Sequence, residues 1–144
     1  VTFQDEMLGK PKNREDAKRM LELLSNNKQV VITAVCIIKD QQSTTFTDAT
    51  TVTFKKLSDQ EIEDYLDTNE WQGKAGAYAI QGIASKFVEK IDGDLENAIG
   101  MPMYKVIKYL EEMCGCLQSH VVILCNVQHK LVLVEKVQKG GKIL

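Results

Sequence analysis

The run Gln29-Val30-Val31-Ile32-Thr33-Ala34-Val35-Cys36-Ile37-Ile38 constrains the fold of this chain more than any other stretch. It is nearly continuous, apolar and β-branched, and too short for a typical buried helix. It therefore reads as a central strand covered on both faces. After the polar turn Lys39-Asp40-Gln41-Gln42 comes a threonine-rich segment, Ser43 to Lys55, in which Phe46, Val52 and Phe54 share one parity. That alternation describes a return strand with one packed and one wet face. Asp48 has the parity of the apolar side. Either a bulge or bend turns its carboxylate to solvent, or the carboxylate faces a cleft.

Helical signals flank this hairpin. Pro11 pushes the residue before it away from helical geometry, and Asn13 is then a natural N-cap with Glu15 and Asp16 in the first turn. Ala17, Met20, Leu21 and Leu24 follow at helical spacing and read as core packing, not as a cofactor site. Ser58-Asp59-Gln60-Glu61 is a capping box, and Ile62, Tyr65 and Leu66 give the second helix its apolar face. That helix runs out in Asp67-Thr68-Asn69-Glu70, and Trp71 beyond it either wedges a loop onto the core or stacks on a base. Phe87 to Ile91 reads as another strand, closed by the turn Asp92-Gly93-Asp94. Pro102 suits the first position of a last helix, lined by Met103, Val106, Ile107 and Leu110. Helices mixed with hairpins in this order predict an α/β fold, with a mixed, partly antiparallel sheet flanked by helices.

A chain of 144 residues with 44% hydrophobic and 26% charged residues is long enough for one buried core. Eighteen basic against twenty acidic residues give a net charge of -2, which argues against a whole-surface binder of nucleic acid or anionic membrane and leaves room for a local basic pocket. No apolar run approaches the roughly 20 residues of a membrane-spanning helix. The charged N-terminal stretch has no signal-peptide core, so a cytoplasmic protein is the expectation. Cys36, Cys114, Cys116 and Cys125 lack the regular spacing of a secreted disulfide framework and fit that expectation. The chain begins with Val1, as a processed, excised or incomplete chain would.

The stretch Lys74-Ala75-Gly76-Ala77-Tyr78-Ala79-Ile80-Gln81-Gly82 alternates small residues with a lysine, a tyrosine and a glutamine. Such a backbone can come close to a ligand while a few polar groups point at it. It has neither P-loop spacing nor a dinucleotide-binding glycine triplet. Taken with Leu8-Gly9-Lys10-Pro11, with Val52-Thr53-Phe54 before a capped helix, and with Asn97-Ala98-Ile99-Gly100-Met101-Pro102, it resembles the Maf family in order and spacing. The resemblance runs from about Leu8 to Met113.

That resemblance implies the Maf and inosine-triphosphatase-like fold and a house-cleaning nucleoside triphosphate pyrophosphatase. Such an enzyme uses a divalent metal, magnesium or manganese, to cleave between the α- and β-phosphates, releasing a nucleoside monophosphate and pyrophosphate. The form of the glycine-rich stretch resembles the branch acting on dTTP, UTP and modified pyrimidine nucleotides. Residue by residue, the resemblance puts Lys10 and Gln81 at substrate-binding positions, and Lys74 and Tyr78 also match the motif. The chemistry agrees: a lysine ahead of a proline offers a point charge to phosphates, and a glutamine amide offers donors and an acceptor to a base edge.

The family's Ser-x-Ser-Pro-Arg-Arg phosphate loop, its acidic metal ligand and its Ala-Asp-Thr motif with the catalytic aspartate do not occur in these residues. Residues 1–113 are thus expected to form the C-terminal two thirds of a Maf-like domain. No catalytic residue and no metal ligand is assigned, and the chain by itself is expected to be inactive or nearly so. Losing a general base or a phosphate clamp each costs on the order of 10²-fold or more in rate.

Residues 114–144 form an atypical tail. Val121 to Val127 and Leu131 to Val134, joined by Gln128-His129-Lys130, read as an added β-hairpin. Cys114, Cys116, Cys125, His120 and His129 invite a zinc reading, but Cys-x-Cys alone is a weak signal. Two function classes follow. One is hydrolysis of pyrimidine nucleoside triphosphates. The other is a non-catalytic remnant that binds nucleotide or a partner chain, a second copy in a homodimer included, through exposed strand edges.

Overall fold

The computed structural model describes residues 1–39, 41–114, 122–127 and 130–132. In chain order the elements are β1 (Thr2–Phe3), β2 (Glu6–Met7), α1 (Arg14–Leu24), β3 (Lys28–Lys39), β4 (Gln42–Phe54) and α2 (Asp59–Asp67). After the glycine-rich loop come β5 (Val88–Asp92), α3 (Leu95–Ile99), α4 (Met103–Cys114), β6 (Val122–Val127) and β7 (Lys130–Val132). Short 3₁₀ turns at Ala75–Ala77 and Ile83–Phe87 interrupt that loop.

The β3–β4 hairpin is the spine. Its register runs without a break from Lys28 opposite Thr53 to Lys39 opposite Gln42. β3 is central: β4 lies on one side with β5 beyond it, while β1 and β6 share the other side at opposite ends of β3. Every strand pair among the described residues is antiparallel.

The expectation that β3 is covered on both faces is corrected. Gln29, Thr33, Val35 and Ile37 are buried on one face, whereas Ile32 on the other is half exposed. Ala34 is exposed as well. The bare face of β3 lies opposite Thr51, Ala49, Thr47 and Thr45 of β4. Its β-branched residues serve strand geometry as much as burial, which is why a continuous apolar run overstated the cover.

On the packed face, a large cluster joins Val52 and Phe54 to α1 (Ala17, Met20, Leu21, Leu24), α2 (Ile62, Tyr65, Leu66) and the loop that follows. A smaller cluster joins Val35, Ile37 and Phe46 to Val106 and Leu110 of α4. Local signals set these helices. The Asp16 N–H donates to Asn13 Oδ1 at 2.8 Å, and both halves of the Ser58–Glu61 capping box are formed. α4 starts one residue later than expected, with the Val106 N–H donating to the Pro102 carbonyl at 3.1 Å. Ile107, expected on its packed stripe, is half exposed. α4 meets the sheet through Val106 and Leu110, with Tyr109 packed beside them.

Asp48 does not leave the sheet. No bulge interrupts the register there, and Asp48 stands opposite Thr33 on the packed face, 7% exposed. Lys105 from α4 closes over it and donates to Oδ1. The reading in which a bulge or bend turns Asp48 to solvent is therefore corrected: the carboxylate stays on the packed face, paired with Lys105. A helix arriving 57 residues later supplies the partner charge.

Candidate functional site

The glycine-rich loop is built outward from α2. Trp71 is buried and its Nε1–H donates to the Leu66 carbonyl at 3.0 Å, which turns the chain back after the helix. The wedge reading of Trp71 is the one its geometry fits. Gly73 has φ 70°, and the chain enters the loop with the Lys74 N–H donating to the Trp71 carbonyl.

Gly76 and Ala77 then take consecutive left-handed conformations, with φ 68° and 66°. For alanine such a backbone costs roughly 1–2 kcal/mol, so it persists only where surroundings hold it. Two hydrogen bonds do so. The buried Tyr65 hydroxyl donates to the Ala77 carbonyl at 2.9 Å, and the Gly76 N–H donates to the Gly9 carbonyl at 3.1 Å.

The second bond is a stitch between two distant motifs. Leu8 is anchored in the core, Gly9 receives the Gly76 N–H, and the next residue, Lys10, projects to solvent. Lys74 and Gln81 are also exposed, on the loop that the stitch holds. Neither Lys10 nor Lys74 has an ion-pair partner among the described residues, whereas Arg14, Lys18, Arg19 and Lys55 all do. The N-terminus of α1 lies beside Lys10, but Asn13 caps it and Glu15 and Asp16 occupy its first turn. An incoming polyanion would find that helix end already neutralised.

Tyr78 turns inward. Its ring lies in the large core cluster, 4.8 Å from Phe54 and edge-on, and its hydroxyl accepts from Gln29 Nε2 at 3.4 Å. Burial pushes the Tyr78 phenol up to about 12, with the Gln29 donor pulling it slightly back. The ring supports the loop from below and passes close to Gly76, where an added Cβ would meet it at 3.2 Å. Burial likewise raises the Tyr65 phenol, with the charge of Glu70 adding to the shift.

The far end of the loop is a tight turn in which the Gly82 N–H donates to the Ala79 carbonyl at 3.0 Å, with Ile80 buried and Gln81 outside. Glu70 backs this turn: its Oε2 accepts from the Ile83 N–H at 3.0 Å. Sequence reasoning assigned no part in the site to Glu70, Tyr65, Gln29 or Asn97. Asn97 is fully buried, and its Nδ2 donates to the Val31 carbonyl and to Thr50 Oγ1. Its place inside a recognisable motif was the available signal.

No group of three or more His, Cys, Asp or Glu side chains among the described residues is placed to hold a metal ion. The site residues present therefore do not by themselves fit a divalent metal. Cys116, His120 and His129 of the zinc reading lie outside the described residues, as does the remainder of the expected tail hairpin. No helix among the described residues is long and apolar enough to cross a membrane.

The sequence model of one family, Maf-like protein, matches residues 1–113. The chain is 44% identical over 112 residues to the dTTP/UTP pyrophosphatase of Acholeplasma laidlawii, covering 78% of this chain and 59% of that protein. It is 45% identical over 108 residues to the dTTP/UTP pyrophosphatase of Pyrococcus horikoshii, covering 75% and 58%. Against the protein of the same name from a Geobacillus species it is 42% identical over 113 residues, covering 78% and 61%. The chain belongs to the Maf-like family. It spans about three fifths of the length of these relatives.

Proposed function

We propose that this chain carries the nucleotide-facing part of a nucleoside triphosphate pyrophosphatase, a hydrolase acting on dTTP, UTP and related pyrimidine nucleotides. The reading rests above all on the bond from the Gly76 N–H to the Gly9 carbonyl, which ties the backbone beside Lys10 to the loop that bears Lys74 and Gln81. Lys10 and Lys74 offer positive charge to the phosphates, and Gln81 offers an amide to the edge of the base. Tyr78 acts beneath them by holding the loop. Because the backbone there is held before substrate arrives, the ordering cost of binding falls on the side chains.

Hydrolysis between the α- and β-phosphates needs a nucleophilic water, a base to deprotonate it and neutralisation of the leaving pyrophosphate. The residues named here supply binding and part of the neutralisation. Magnesium or manganese enters the proposal with the nucleotide; no residue named here is assigned to hold it, and no step is assigned through it. The names of the relatives support the choice of dTTP and UTP. A cytoplasmic setting, with no nucleic-acid or membrane partner, completes the reading.

Calorimetric titration of the chain with UTP and dTTP, with magnesium or manganese present, tests it. Lys10→Ala or Gln81→Ala should weaken binding about tenfold, the size of one hydrogen bond to a charged or well-placed group. Wild-type chain that binds neither nucleotide would sink the proposal. Pyrophosphate release is expected to stay far below one per second from these residues alone.

A second reading has its own observation. The half-exposed Ile32 on the bare face of β3 favours a non-catalytic module that meets a partner, a second copy of the chain included, across that face. Sedimentation of wild type and Ile32→Lys separates the two: a dimer abolished by the lysine supports the module.

A further inference from the structure

Gly82 poses a problem that backbone geometry does not solve. Its φ and ψ are -92° and -154°, a conformation open to any residue. The space where a Cβ would stand is taken by the Glu70 carboxylate: such an atom would meet Oε1 at 2.2 Å and Cδ at 2.6 Å. The glycine admits Glu70.

Glu70 is itself held in place. Asn69 before it is left-handed, with φ 59°, and the Glu70 N–H donates to Thr68 Oγ1 at 3.3 Å. The Thr68 hydroxyl in turn donates to the Tyr65 carbonyl at 2.6 Å. The carboxylate is thus carried on the end of α2 and pressed against the Gln81–Gly82–Ile83 backbone. One oxygen binds the Ile83 N–H at 3.0 Å, while Oε1 is enclosed with no hydrogen-bond partner.

An enclosed carboxylate oxygen without a partner costs stability, so stability alone does not explain the arrangement. Presentation of Gln81 does. This residue is exposed between the buried Ile80 and the backed Gly82, so two held neighbours fix the direction in which its side chain leaves the backbone. A base edge is read by an amide only when donor and acceptor arrive in the right plane.

We infer that Glu70 is a positioning residue for Gln81 and, through it, a determinant of which pyrimidine the site accepts. The inference rests on the proposed nucleotide site and adds to it the group that sets its selectivity. Uracil and cytosine differ at one edge, exchanging a carbonyl and an N–H for an amino group and a bare nitrogen. A misdirected amide loses that distinction before it loses affinity.

The test uses wild type, Glu70→Gln, Glu70→Ala, Gly82→Ala and the Glu70→Ala/Gly82→Ala double variant, with titration against UTP and CTP and amide NMR spectra of each. Glu70→Ala should lower the ratio of UTP to CTP affinity at least fivefold, and should shift the Ile83 backbone and Gln81 side-chain signals. Glu70→Gln keeps an acceptor for the Ile83 N–H and should retain the ratio. Gly82→Ala displaces the carboxylate and should resemble Glu70→Ala, whereas in the double variant the added methyl should change nothing further, because its obstacle is gone.

Equal loss for UTP and CTP in Glu70→Ala, unmoved Gln81 signals, or additive effects in the double variant would each overturn the inference. If the wild type bound neither nucleotide, the proposed function and the selectivity would fall together. The spectra would still decide whether Glu70 positions Gln81.

Discussion

The two ends of the β3–β4 hairpin are packed in different ways. At the end near Val52 and Phe54, seventeen buried residues among those described form one cluster with α1, α2 and the glycine-rich loop. At the end near Phe46 only five do so, helped by Tyr109 stacked on Phe46 with ring centroids 4.4 Å apart. A band of buried polar residues, Thr33, Asp48, Thr50 and Asn97, lies on the same sheet face between them. The loop that presents Lys74 and Gln81 is fastened to the large cluster, whereas α4 is fastened to the small one and to Asp48. Precision is concentrated where the candidate site lies.

The sharpest way to break this comparison is to cut equally deep at both ends. Phe54 touches Tyr78 and Phe87 edge-on and is fully buried. Phe54→Ala should cost about 3–5 kcal/mol in urea unfolding. Phe46→Ala in the small cluster removes the same atoms and should cost less, about 2–3 kcal/mol, because the cluster around it is smaller. Equal losses would mean that the two clusters are one cooperative unit of uniform packing.

Alkaline titration probes the large cluster without mutation. Tyr78 holds its proton more tightly folded, near 12, than unfolded, near 10. Its contribution is fully present below pH 10 and lost as pH rises toward 12, because the unfolded chain releases the proton first. A shift of this size amounts to on the order of 2–3 kcal/mol. Tyr65, also raised, adds in the same direction. Stability measured by denaturant at intervals from pH 9 to 12 should fall steeply, and Tyr78→Phe should flatten the fall. An unchanged slope in that variant would place the titration elsewhere.

The polar band offers a middle-sized effect. Removing Lys105 as Lys105→Met leaves the 7%-exposed Asp48 without its partner charge and should cost about 1–3 kcal/mol, reduced from a fully buried pair because Lys105 is itself 44% exposed. The double variant Asp48→Asn/Lys105→Met should recover most of the loss. If the double variant proved worse than the single one by thermal unfolding, the pair would be a true stabiliser of α4.

These examples also mark what the sequence could and could not disclose. Asn13 and the Ser58–Glu61 box were legible because their hydrogen bonds close within three residues. The hairpin and its packed parity were legible from period-two patterning of Phe46, Val52 and Phe54. Asn97 with Val31 and Lys105 with Asp48 are separated by 66 and 57 residues, and their partners depend on sheet register and helix placement. The inward turn of Tyr78 was illegible for a related reason. It sits in an irregular loop with no period, so nothing in the sequence said that the ring turns inward. Glu70 looked like part of a solvated helix end until Gly82 proved to leave it room.

The smallest effect concerns the start of α2, and it asks how far the fixed half is fixed locally. Glu61 accepts from the Ser58 N–H at 2.9 Å and pairs with Lys55, which together hold its carboxyl down to about 2 from an ordinary 4.5. Its help to the cap is present above pH 4.5 and lost as pH falls toward 2, because the unfolded chain takes up the proton first. Ser58→Ala should cost about 1 kcal/mol. Tyr65 and Glu70, which act on the loop, lie beyond the first turn, and both are secured by hydrogen bonds of their own. Fraying of the cap should therefore leave the Ala77 and Ile83 amide signals of Ser58→Ala in place while its unfolding midpoint drops. Signals that move with the cap would show that the loop depends on the whole helix, and that its two anchors do not suffice.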